Sequence, residues 1–88
     1  MKELKDTVVL MQSEDYKERF AAEFYQLETR YMKLKAMVEK WDKGELNFTP
    51  TCPRKLYDEQ LYAMHTYLDI LFERATLEKV ELEISYKC

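Results

Sequence analysis

The chain has one glycine, two prolines, two cysteines and one histidine in 88 residues. Each scarcity excludes something. A single glycine cannot build a phosphate-cradling loop. One histidine, His65, with cysteines as far apart as Cys52 and Cys88, cannot supply the closely spaced ligand pairs of a zinc site. Two distant cysteines make no disulfide framework either, so reduced thiols in a cytosolic protein are expected. No apolar run approaches the roughly 20 residues of a membrane span, and the N-terminal "TVVLM" patch lacks the features of a secretion signal. Lysine and arginine never form a block, so duplex nucleic acid is not an expected partner.

What is present is helical. Apolar residues make up 47% of the chain and charged residues 35%, the balance of a small folded domain. Tyr16, Phe20, Phe24, Leu27, Tyr31, Leu34, Val38 and Trp41 recur at alternating spacings of three and four, which only a helix aligns on one face. Asp15 and Glu18 have capping-box spacing at its start, and Gly44 stands where a left-handed residue would end it. The expectation is a helix over about residues 14–42, a connector over 43–52 and a second helix over about 53–76. Pro53 suits the first turn of that second helix because its missing amide would have had no acceptor there.

The second helix carries more apolar surface than one partner needs. Tyr57, Leu61, Met64, Leu68, Leu71 and Ala75 form its seam. Leu56, Ala63, Tyr67 and Ile70 lie beside that seam, with Phe72 further round. Two long helices joined by a short connector run antiparallel. The additional row, with Phe72, is therefore expected at an interface in a homo-oligomer. At the C-terminus, Val80, Leu82, Ile84 and Tyr86 alternate with polar residues, which predicts a β-strand over 80–86. Residues 4–11 read equally as its partner strand or as helix. The expected fold class is thus mainly α: an antiparallel two-helix hairpin with a short C-terminal strand, in a single oligomeric domain.

No catalytic set emerges, and no enzyme, metal or cofactor is expected. His65 reads as a partly exposed helix residue, and Asp58 with Glu59 as charge at a helix start. The connector "NFTPTCPRKL" (47–56) invites two readings. Arg54 and Lys55, beside Tyr57 and free helix-start amides, could bind an anion or nucleotide; Gln60 is counted with them as a ligand-binding candidate. Alternatively, the two cations pair with acidic residues of the first helix or of a neighbour. Phe48 and Pro50 are expected to cover the open end of the hairpin.

The run "ERFAAEFYQLETRYMKLKAMVEKW", then "LNF", then "QLYAMHTYLDILFERATLE" resembles a family of small, uncharacterised helical proteins of bacteriophages and prophages. That family is named for its relation to a crAss-like phage gene product. The shared features are Glu18–Arg19, Leu34–Lys35–Ala36, Leu46 and Phe48, and then Gln60, Ala63–Met64, Tyr67, Leu71 and Arg74. The resemblance covers about residues 16–78. It implies a phage accessory protein of the host bacterial cytoplasm that counters host defence. The second helix is also similar to the hairpin of oligomers that sequester cyclic-nucleotide immune signals, although no binding residue carries over. Three functions follow as expectations: an oligomer that sequesters a nucleotide-type signal, a helical inhibitor of a host defence enzyme, or a structural component of the phage particle.

Overall fold

The computed structural model describes residues 2–87. A 3-10 turn, Leu4–Thr7, leads into the short helix α1, Val8–Met11; the long helices α2, Tyr16–Asp42, and α3, Arg54–Glu78, follow. Asp15 caps α2 by accepting the Lys17 amide at 2.9 Å. At the other end Gly44 has φ of +69°. There its amide donates to the Trp41 carbonyl at 3.0 Å and the Glu45 amide to the Lys40 carbonyl at 2.9 Å. These two bonds close the Schellman motif that a left-handed residue allows.

α2 and α3 form the hairpin, and Phe20, Phe24, Leu68, Leu71 and Ala75 fill it. The whole measures 43 × 24 × 21 Å. Among the described residues no helix is long and apolar enough to cross a membrane.

The tails differ from expectation. No β-strand exists among the described residues, so the strand predicted over 80–86 is corrected to an extended tail. Residues 4–11, which read equally as its partner strand or as helix, are helical and pack on α2, and a strand without a partner has no ladder to join. The alternation in "VELEISYK" has another cause. An extended tail lying along two helices also buries every second side chain. Val80, Leu82 and Ile84 pack against the core and Tyr86 enters it, whereas Glu81, Glu83 and Lys87 stay exposed.

Side chains of α2 satisfy the tail's amides in place of a ladder. Glu83 N donates to Tyr25 Oη at 2.9 Å. Ser85 N and Tyr86 N both donate to Glu28 Oε2, at 2.7 and 3.0 Å. Glu28 is 1% exposed, a buried carboxylate held by hydrogen bonds to the last few residues. The N-terminal segment is held similarly: Gln26 Nε2 donates to Thr7 Oγ1 at 3.0 Å, and Thr29 Oγ1 donates to the Lys2 carbonyl.

The tail leaves α3 through Lys79, whose φ of +59° is left-handed. A side chain there costs roughly 1 kcal/mol that glycine would not incur. Lys79→Gly is therefore expected to raise stability by about 0.5 kcal/mol after the loss of unfolded-state rigidity, measurable by urea denaturation.

Candidate binding groove at the connector

The four residues singled out as a ligand set do not form one site. Arg54 joins the two helices: Nη1 and Nη2 engage the two carboxylate oxygens of Asp42, the latter at 3.2 Å. Its Nε reaches Asp58 at 3.0 Å. Its guanidinium also lies 5.5 Å from the Trp41 ring centre. The hydrogen bond from Arg54 holds the Asp42 carboxyl below the usual carboxylate range, and the Asp42 and Asp58 bonds push Arg54 upward in turn.

Tyr57 joins Arg54 at the Trp41 ring, edge-on at 5.6 Å, and burial raises its phenol above the ordinary range. Lys55 is 3.8 Å from Glu59 with its side chain open to solvent. Gln60 is exposed as well. Arg54 and Tyr57 thus meet around an indole, while Lys55 and Gln60 lie outside that cluster.

The concavity lies elsewhere on the connector. After Gly44 the chain folds back along α2, and a groove of about 360 Å³ opens between them. Lys33, Ala36, Met37 and Lys40 form its α2 wall, and Glu45, Leu46, Asn47 and Phe48 form the other. That volume is within the range of small-molecule sites. Two lysines against one glutamate leave it net basic. Among the described residues Lys33 has a single ion pair, solvent-exposed, to Glu3 at 3.8 Å, and such pairs hold a side chain weakly. The Lys40 ammonium has no ion-pair partner among the described residues. Phe48, expected to seal the hairpin's end, is instead 53% exposed and lines the groove. Asn47 adds an amide.

The residues of this wall were missed in the sequence although a signal existed. Lys33, Met37 and Lys40 recur at spacings of four and three, a second helical row beside the main seam. Nothing in that row announces a concavity. The return of the connector creates it.

The Sequestin family model matches residues 14–77. That match spans α2, the connector and most of α3, well over half of the chain. The chain belongs to the Sequestin family. No curated protein and no solved structure matches it. The Sequestin match takes in the whole groove and stops short of the tail that carries Tyr86.

The five residues expected at an interface divide in two. Leu56, Tyr67 and Ile70 are 51%, 43% and 51% exposed, and Ala63 is exposed among them. Phe72 is half-buried on another flank, with the Lys87 ammonium 4.4 Å from its ring centre. The tails cover the sides of the hairpin and leave the row of four open. Tyr67 is tethered there by its hydroxyl, which donates to Glu23, and that bond raises its phenol above the ordinary range.

Proposed function

We propose that this Sequestin family member is a non-enzymatic sequestering protein that captures an anionic, nucleotide-type small molecule in the connector groove and acts as a homo-oligomer. The observation that carries the reading is the groove itself. It sets two weakly engaged ammonium groups beside an exposed aromatic ring and an amide, the combination that grips phosphate and base together. Arg54 is a poorer candidate because Asp42 and Asp58 already occupy its donors. The family's name accords with sequestration as the mode of action. In a phage-encoded protein of the bacterial cytoplasm, the captured molecule would be an immune signal of the host.

Capture without chemistry requires only that the ligand favour the folded state. Thermal melting against a panel of cyclic di- and trinucleotides tests this. A ligand at a hundred times its Kd adds about 2.7 kcal/mol, a rise in Tm of roughly 10–20 °C for a domain of this size. Lys40→Ala and Phe48→Ala should each abolish most of that rise and leave the unliganded Tm within a few degrees, because both side chains lie at the surface. No shift from any member of the panel, or equal shifts in the variants, would overturn the assignment.

A further inference from the structure

We infer that the C-terminal tail, residues 80–87, is an exchangeable arm that docks on the same seat of a second copy of this chain, so that two copies trade tails about a two-fold axis at Lys79. The exchange gives the homo-oligomer proposed above its contact and rests on that part of the reading.

The hinge is one residue long. α3 ends at Glu78, and the tail turns back at once along the helices. The Lys79 carbonyl accepts from Lys17 Nζ at 3.2 Å. Glu83 is then bonded to Tyr25, and Ser85 and Tyr86 to Glu28 further along α2. Lys79 makes this reversal, and it is the only non-glycine residue with a positive φ among the described residues. A lysine there is held against its own preference. Straightening the chain at Lys79 releases that strain, and a short strained hinge is what favours the exchange of an element between copies.

Everything that holds the tail lies beyond the hinge. Tyr25 and Glu28 receive its amides, Asp69 accepts the Tyr86 hydroxyl at 2.6 Å, and Phe24, Tyr31 and His65 meet the Tyr86 ring. These groups belong to α2 and α3, and none of them depends on which chain supplies the tail. Exchange therefore conserves the bonds and the buried surface. What it gives up is the closed turn, in which the Lys79 and Val80 amides both donate to the Ala75 carbonyl. Lys17 and Lys79 are both exposed, so water replaces the bond between them at little cost.

The seat itself selects the occupant. It takes Val80, Leu82 and Ile84 against the core with Tyr86 buried at the end, and a second copy brings that same segment. It also brings an emptied seat, so the exchange is reciprocal and closes as a two-fold dimer. A hinge of one residue leaves no slack. The two hairpins must then meet end to end at the pole where Tyr16 donates to Glu78 at 2.6 Å. Release of one left-handed lysine favours the open hinge about fivefold, and the two hinges of a dimer about thirtyfold. A tethered tail has an effective concentration on the order of millimolar, which places exchange at roughly tens of micromolar protein.

Sedimentation and native mass spectrometry of the full chain test this. A dimer is expected to form as the wild type is concentrated. Lys79→Gly adopts the closed turn without strain and should weaken the dimer about fivefold. Lys79→Pro cannot adopt that turn and should tighten it about tenfold or more. Trading is read directly by mixing Glu28→Ala, which has a sound tail and a damaged seat, with Tyr86→Ala, which has the reverse. A heterodimer that melts above either variant is expected, because it restores one sound tail in one sound seat. Should either of those variants fail to fold, the Lys79 variants decide alone, since they keep tail and seat intact. A wild type monomeric up to millimolar concentration, a dimer indifferent to both Lys79 variants, a monomeric Lys79→Pro, or folded variants that mix without a heterodimer would each overturn the inference. The melting shift with cyclic nucleotides reports capture separately. An exchanged dimer without a shift removes only the capture reading, and a dimer indifferent to Lys79 removes tail exchange while leaving the homo-oligomer.

Discussion

Glu28→Ala is expected to lower the melting temperature by roughly 10–30 °C. The carboxylate is 1% exposed and accepts the amides of Ser85 and Tyr86. Its removal leaves two amides without an acceptor, and each one kept from water costs about 1–3 kcal/mol. The tail has no ladder to fall back on, because it lies on helices rather than beside a strand. The cost falls on a domain whose total stability is about 5–15 kcal/mol. Glu28→Gln keeps a carbonyl oxygen in place and should lose about 1 kcal/mol, the difference between a charged and a neutral acceptor. Glu39→Ala, on the exposed side of the same helix, should stay within about 0.5 kcal/mol. Urea melts followed by circular dichroism measure all three. Hydrogen exchange at Ser85 and Tyr86 should be slow in the wild type and fast in Glu28→Ala. An alanine variant that melts within about 3 °C of the wild type would remove the docked tail from the description of this fold.

The second large effect is at Tyr86, which is 2% exposed. Its ring meets Phe24 at 6.0 Å, Tyr31 at 6.4 Å and His65 at 5.3 Å, each edge to face. Tyr86→Ala leaves a cavity between the two helices and should cost about 3–5 kcal/mol. Tyr86→Phe separates ring from hydroxyl. It removes only the bond that the hydroxyl donates to Asp69 at 2.6 Å, for about 1 kcal/mol at neutral pH.

The two variants also differ in pH dependence. Burial, and then the hydrogen bond to Asp69, raise the Tyr86 phenol well above the ordinary range. A group with a raised folded pKa contributes stability in full below its unfolded value, about pH 10 for tyrosine, and loses it as the pH climbs toward the folded value. The wild type should therefore destabilise above about pH 10, and Tyr86→Phe should flatten that slope. Tyr16 and Tyr67, raised by their bonds to Glu78 and Glu23, leave a residual slope.

At the acid end the sign reverses. The Tyr86 hydroxyl, with His65 and Lys87 nearby, lowers the Asp69 carboxyl. Glu78 is lowered by its bonds to Tyr16 and Arg74. A lowered carboxyl contributes stability above its unfolded value, about pH 4, and loses it as the pH falls through the folded value. Acid titration of Tyr86→Phe should show a smaller loss in that window than the wild type.

How far the sequence could be read depended on whether a feature was local. The α2 seam from Tyr16 to Trp41 and the Gly44 stop are local patterns, since spacing and backbone permissiveness settle them within a few turns. The tail misled for the same reason. Strict alternation in "VELEISYK" reports that one side of an extended segment is buried. It does not report whether a sheet or a pair of helices buries it. The capping preference at the start of α3 also left Arg54 ambiguous, because its partner Asp42 belongs to the other helix.

By itself the sequence determined a mainly helical chain of two long amphipathic rods. It also determined that α3 bears more apolar surface than α2 can hide. Helical periodicity and composition act over short distances and are written directly in residue order. Only the tertiary structure decided that Glu28 and Tyr86 hold the tail, that Arg54 is spent on Asp42, and that Lys33, Lys40 and Phe48 share a groove. Each depends on residues that the connector or the tail brings together from distant parts of the chain, and those approaches are set by packing rather than by spacing.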